Sequence, residues 1–209
     1  MTLNVIVDLS HHNANVDFAK LKAAGIVGVI HKATQGGGYT DPQYAPRRAA
    51  AEAAGLPWGA YHFGTGDADG VTQAAHFLKV VGPTDKTLLV LDFEQNTQGA
   101  SMTLDQADDF VTAVQQQSGR WPVFYTGSAY FGTRTDALLA NCPLWLAEYG
   151  ATTKVPANWS AWTLWQYTDG VNGPAPHSVD GVGTCDRDQF NGTMDELMAF
   201  WPGSVVPVA

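Results

Sequence analysis

Asp92-Phe93-Glu94 is the stretch of this chain best equipped for chemistry. It closes the apolar run Leu88-Leu89-Val90-Leu91, which reads as a buried strand. Side chains alternate across a strand, so Asp92 and Glu94 share a face, with Cα atoms roughly 6.5–7 Å apart. Two carboxyls near that separation suit acid–base cleavage of a glycosidic bond. One donates a proton to the leaving oxygen while the other supports the anomeric centre. The plain alternative is a pair of solvated strand-end acids, because D-x-E is a common tripeptide.

Other polar residues follow apolar runs in the same way. Val5-Ile6-Val7 leads to Asp8, and Val27-Gly28-Val29-Ile30 to His31 and Lys32. Trp58-Gly59-Ala60 leads to Tyr61-His62-Phe63, and Pro122-Val123-Phe124 to Tyr125. Leu144 to Ala147 leads to Glu148-Tyr149, and Trp162 to Trp165 leads to Gln166-Tyr167. A weaker last strand is expected between Gly183 and Phe190, making about eight. Helices are expected near 17–24, 42–54, 71–81, 103–118 and 129–140. Gly25, Gly55, Gly82 and Gly119 stand just after the first four, where a left-handed residue commonly ends a helix. Thr103-x-x-Gln106 and Thr193-x-x-Glu196 have capping-box spacing, and the second opens a short terminal helix through about Phe200.

Strands alternating with helices argue for a parallel sheet, and about eight of them for a closed barrel. The last three strands are too closely spaced for full helices between them. The expected fold is therefore α/β, an irregular TIM-like barrel of five βα units and then three strands, (β/α)5(β)3. Active sites in such barrels lie at the C-terminal strand ends. Asp8, Asp92 and Glu94 would meet there with Tyr61, Tyr125, Tyr149 and Tyr167. An acidic floor ringed by aromatics suits a sugar polymer. Each tyrosine taken alone reads more simply as a cap on the barrel core.

Composition excludes several classes. The 209 residues are 45% hydrophobic and 15% charged, as for one folded domain. A formal charge of −9, with no basic run, argues against nucleic acid as a partner. No apolar stretch approaches a membrane span. Met1-Thr2-Leu3-Asn4 runs straight into a strand and shows no secretory signal. The expectation is release by phage lysis or export by another route. Cys142 and Cys185 are too few for a disulfide framework or a zinc site and are expected to stay reduced.

Ordered along nearly the whole chain stand Val7-Asp8-Leu9-Ser10, Lys32-Ala33-Thr34, Tyr39-Thr40-Asp41-Pro42 and Ala53-Ala54-Gly55-Leu56-Pro57. They continue with Gly59-Ala60-Tyr61-His62-Phe63, Leu91-Asp92-Phe93-Glu94, Leu144-Trp145-Leu146-Ala147-Glu148-Tyr149, Trp165-Gln166-Tyr167 and Cys185 to Gly192. In these segments the chain resembles the family 25 glycoside hydrolases, the Chalaropsis-type muramidases. The resemblance implies a monomeric catalytic domain over 1–209, with about 202–209 as a tail. It also implies a bacterial cell-wall substrate, peptidoglycan, cleaved at the β-1,4 bond between N-acetylmuramic acid and N-acetylglucosamine. No cofactor and no metal are expected. Glu94 matches the catalytic acid and Asp92 the second carboxylate. Asp8 and Asp186 match supporting acids, and Asp188 shares the face of Asp186. Tyr61, Phe63, Tyr125, Glu148, Tyr149, Trp165 and Gln166 become candidates for substrate contact. In one place the sequence departs: many relatives carry Glu in Lys-Ala-Thr-Glu-Gly, where Gln35 stands here. An amide can hydrogen-bond but adds no charge.

The acids should raise the pKa of Glu94 and keep it protonated. Asp92 has three possible roles: nucleophile, support for an attacking substrate acetamido group, or base for a water. The acetamido route is preferred, because the sugar carries that group. His31 and His62 read as structural histidines; His11-His12 is an adjacent pair with opposed side chains, poor for chelation, that would bring one ring to the cleft edge. Gly36-Gly37-Gly38 lacks the Lys-Ser/Thr of a phosphate loop and reads as a flexible rim. A chitin-directed glycosidase and a non-catalytic carbohydrate-binding barrel are the rival functions.

Overall fold

The structure, a computed structural model, describes residues 1–202; the remainder of the expected tail lies outside the described residues. In chain order the elements are β1 (Thr2–Leu9), α1 (Phe18–Ala23), β2 (Gly28–Gln35), β3 (Tyr39–Thr40), α2 (Tyr44–Ala53) and β4 (Trp58–Phe63). There follow α3 (Gly70–Val81), β5 (Thr87–Asp92), α4 (Leu104–Ser118), β6 (Val123–Gly127), α5 (Ser128–Phe131) and a 3-10 turn (Leu139–Asn141). The chain continues through β7 (Leu144–Ala147), β8 (Leu164–Thr168), β9 (Ser178–Val179), β10 (Gly183–Thr184), β11 (Asp186–Asn191) and α6 (Met194–Phe200).

Eight strands close a barrel in the order β1-β2-β4-β5-β6-β7-β8-β11. Closure comes from β1, which pairs in parallel with β2 and antiparallel with β11. The strand β11 is also antiparallel to β8, so the sheet is not wholly parallel as expected. The cause is the connection. A parallel return needs a crossover of a dozen or more residues, usually a helix. Between β8 and β11 the chain forms only loops and the small β9–β10 hairpin. It therefore enters β11 at the end where it left β8. Asp186, at the start of β11, thus stands beside Asp8, near the end of β1.

The first four helices form close to the expected positions. Gly25, Gly55, Gly82 and Gly119 follow them with φ of 91°, 71°, 70° and 74°. Thr103 and Thr193 make complete capping boxes with Gln106 and Glu196. The helix expected over 129–140 is absent. Gly132 turns left-handed, φ 64°, and ends α5 after four residues. Asp136 then accepts from the Leu138 and Leu139 amides and starts the 3-10 turn afresh. The expected glycine rim is the tight turn of a β2–β3 hairpin, with Gln35 opposite Tyr39.

Two apolar cores result. One lies between barrel and helices and includes Val7, Leu9, Leu89, Leu91, Phe93, Phe110 and Phe124. The other fills the barrel and includes Ile6, Ile30, Leu88, Val90, Val123, Trp145, Leu164 and Phe190. At the starting ends of the strands, α6 and Trp201 add Leu197 and an indole ring to this inner core. A Cβ at Gly28 would come within 2.6 Å of that ring. One mouth of the barrel is thereby filled with apolar side chains, leaving the opposite mouth for polar chemistry. Among the described residues, no helix is long and apolar enough to cross a membrane.

Candidate active site

Alternation decides which strand-end residues reach the open mouth. Leu88 and Val90 face into the barrel while Leu89, Leu91 and Phe93 face the helices, so Asp92 and Glu94 turn inward. By the same count Ile6 brings Asp8 inward, Ile30 brings Lys32, Val123 brings Tyr125 and Leu164 brings Gln166. Running the other way, Phe190 brings Asp188 and Asp186 inward. Asp8, Tyr61, Asp92, Glu94, Tyr125, Trp145, Tyr149, Gln166 and Asp186 together line a cavity of about 210 Å³. It shares Glu94, Tyr125 and Tyr149 with a groove of about 1010 Å³, lined also by His11, His12, Lys32, Gln35, Tyr39, Phe63 and Tyr130.

Three expected contacts do not reach either space. Trp165 and Tyr167 have the opposite parity to Gln166 and point away from the barrel axis. The Tyr167 hydroxyl donates to the Pro176 carbonyl at 3.0 Å. Glu148 has the opposite parity to Tyr149, and its carboxylate accepts from the Ser128 hydroxyl. The Trp165 indole donates to the Glu148 carbonyl at 2.8 Å, so both residues brace the wall behind Tyr149. Neighbours on a strand cannot both enter one cavity, and the pairs Trp165-Gln166 and Glu148-Tyr149 were too generous for that reason. Conversely, Trp145 and Lys32 line the site although neither was singled out for it. The parity of Ile30 and of Tyr125, which pairs with Trp145, carried the signal.

A hydrogen-bond chain fixes the acidic wall. Tyr125 and Tyr149 donate to Gln166 Oε1 at 2.8 and 2.7 Å, which leaves Gln166 Nε2 to donate to Asp8 Oδ2 at 2.8 Å. Below them the fully buried Asp188 accepts from the Trp145 indole at 2.8 Å. Burial raises the pKa of Asp8 well above the usual range, and Asp186 and Asp188 add to the rise. Asp186 is pushed up to about 6 by burial and then by Asp169. The phenols of Tyr61, Tyr125 and Tyr149 are pushed up mainly by burial and remain donors.

Asp92 and Glu94 line the same cavity. Asp92 is buried, and its Oδ1 has no hydrogen-bond partner among the described residues. Burial, then the Glu94 charge, raises its pKa, while Lys32 opposes. Glu94 is raised by burial, lowered by Lys32 and raised again by Asp186. Burial thus outweighs the crowding of acids that the sequence suggested, and the Lys32 cation works against both. Lys32 Nζ donates to Gln35 Oε1 at 2.6 Å and lies 4.9 Å from the Phe63 ring centre.

The remaining candidates are structural. His31 donates to the Lys32 carbonyl at 2.8 Å, accepts from Arg47 at 3.2 Å and stacks on Trp58. His62 lies between Thr34 and Gln73 and stacks on Phe110. Burial lowers both to a pKa of about 4. His11 and His12 both line the groove, where the sequence placed only one of them. Cys142 and Cys185 are free and buried. Among the described residues, no group of three or more His, Cys, Asp or Glu side chains could hold a metal ion.

Comparison with known proteins gives the same barrel. Residues 7–175 match Glycosyl hydrolases family 25. Lysozyme M1 of Streptomyces globisporus is 32% identical over 92% of this chain and 69% of its own length. The crystal structure of the bacterial lysozyme from Streptomyces coelicolor superposes with a TM-score of 0.85 at 30% identity, covering 95% of this chain and 97% of that one. A family GH25 lysozyme from Aspergillus fumigatus gives 0.84 at 31%, covering 97% and 100%. By its sequence and by the fold that carries its acids, the chain belongs to family 25 of the glycosyl hydrolases.

Proposed function

We propose that this enzyme is a muramidase acting on the bacterial cell wall. It hydrolyses the β-1,4 bond between N-acetylmuramic acid and N-acetylglucosamine of peptidoglycan. Glu94 is the proton donor and Asp92 the assisting carboxylate. The observation that carries this reading is that both carboxyls line one cavity, where partial burial raises the pKa of Glu94 and favours its protonated form. The lysozymes that this chain resembles supply the substrate class.

In the first step the Glu94 proton passes to the glycosidic oxygen and the bond from the anomeric carbon to that oxygen breaks. The acetamido carbonyl oxygen of the same sugar bonds to the anomeric carbon and closes a five-membered ring. Asp92 accepts the acetamido N–H, which supplies the partner its Oδ1 lacks. In the second step the Glu94 carboxylate takes a proton from water. The resulting hydroxide bonds to the anomeric carbon, the bond from that carbon to the acetamido oxygen breaks, and the acetamido carbonyl is restored with its N–H still held by Asp92. Tyr61, Tyr125, Tyr149 and Trp145 surround the sugar, Phe63 borders the adjoining groove, and Asp8 and Asp186 complete the acidic wall.

The test is digestion of purified peptidoglycan followed by borohydride reduction of the new ends. The expected product is reduced muramic acid. Reduced glucosamine, or preferential turnover of chitin oligomers, would assign the enzyme to a different bond.

A further inference from the structure

The cleft is built from acids, yet one of its side chains is a fixed cation. Among the described residues lining the cavity and the groove, Lys32 is the only lysine or arginine. Two ion pairs are found among the described residues, His11–Asp41 and Arg48–Glu52, and Lys32 belongs to neither. Its ammonium is instead held by neutral groups, the Gln35 amide oxygen and the faces of Phe63 and Tyr39. Such a placement fixes the charge without a carboxylate in hydrogen-bond contact, although Asp92, Asp41 and Glu94 lie near enough to act on it. A carboxylate at position 35 would have closed this site; an amide leaves it open. The groove beside it has room for substituents that project from a sugar chain, about 1010 Å³.

From this we propose that Lys32 binds a carboxylate of the substrate and selects glycans whose sugars carry lactyl or peptide carboxylates over neutral acetamido polymers. The proposal rests on the muramidase reading and adds the residue that makes it specific. An anionic polymer approaching a chain of formal charge −9, and a cleft containing Asp8, Asp92, Glu94 and Asp186, meets repulsion almost everywhere. Lys32 offers the one fixed attraction, at the rim where Glu94 joins cavity and groove. His11 lies on the same edge, but its Nδ1 is engaged with Asp41 at 2.8 Å. A chitin-like chain has no carboxylate and gains nothing from the ammonium.

The experiment uses soluble peptidoglycan strands in two forms, native and with their carboxylates converted to methylamides. The wild-type enzyme should show a KM for native strands lower by about tenfold, the scale of one charge-assisted contact in a half-exposed site. This advantage should shrink as salt is raised. Lys32→Met should abolish it, while Lys32→Arg should keep most of it. Because Lys32 also lies near Glu94, kcat can change in either variant. The ratio between the two substrates is the readout, and it is independent of such a change. Equal KM values for the two forms in the wild type would overturn the proposal, as would a Lys32→Met variant that keeps the preference. A folded wild-type enzyme that cleaves neither form at the muramyl bond would instead overturn the muramidase reading itself.

Discussion

At the scale of the residue, the account turns on Asp92 as an anion with one oxygen unpartnered among the described residues. If it supports an acetamido group, hydrolysis retains configuration, and the first product seen by proton NMR is the β-anomer. An initial α-anomer would mean a single displacement by water and would remove the acetamido step. Asp92→Asn, which abolishes the charge, should cut kcat by roughly 10²–10⁴-fold. Gln35→Ala should be milder, because the amide carries no charge and acts only through Lys32. Raised pKa values in the pair also fix the pH response. Activity needs protonated Glu94 and ionised Asp92, so it declines at both extremes, with an optimum at roughly pH 4–6.5. A flat profile from pH 5 to 9 would leave the burial of Glu94 without a function. The acids were legible because carboxylates at strand ends leave a mark in one sequence. Lys32 was legible only through the inward parity of Ile30, since a strand-end lysine taken alone suits solvent as well as an acidic cleft.

At the scale of the element, the sequence carried most where local rules are strong. Four glycine stops and two capping boxes were readable because each acts within a single turn of chain. The failures came where the outcome is decided elsewhere. The direction of β11 depends on what the connection from β8 can span, and the stretch 129–140 is broken by Gly132 and restarted by Asp136. The side-chain pairs Trp165-Gln166 and Glu148-Tyr149 were legible in principle, since period two alone excludes one member of each. Elements that hold the barrel but touch no substrate should separate stability from turnover. Thr103 caps α4, accepting from the Gln106 amide at 3.2 Å, on the outer layer of the fold. Thr103→Ala should lower unfolding free energy by about 1 kcal/mol in denaturant titration and leave kcat unchanged. A loss of turnover in the folded variant would mean that α4 positions the site more directly than its contacts indicate.

At the scale of the whole molecule, the site is held at a cost in stability. Asp8, Asp92 and Asp188 are buried and Asp186 is half-buried, all with raised pKa values, so the folded state binds their protons more tightly than the unfolded chain does. For Asp186 the window runs from the ordinary 3.8 to about 6. Its stabilising contribution is full below that window and is lost as pH rises through it. Asp41, Asp69, Asp169 and Glu196 are shifted the other way and are already ionised by pH 5, so they do not offset the loss. The growing negative charge of the chain acts in the same direction as the acid cluster. His31 and His62, lowered to about 4, gain stability as pH rises to their ordinary 6.5 and so oppose the acids in that range. The acid effect is therefore read by difference: the melting temperature of the wild type relative to Asp186→Asn should fall between pH 4 and pH 7. A difference that stays constant or grows over this range would contradict the raised pKa of Asp186.

The proton on Glu94 is the centre of the account, and Glu94→Gln tests it most directly. The substitution keeps the shape of the side chain and removes the proton it donates. Turnover of purified peptidoglycan should fall by roughly 10²–10⁴-fold, with the circular dichroism spectrum and sugar binding retained. A folded Glu94→Gln enzyme with near-normal turnover would place the proton donor on another residue and contradict the mechanism.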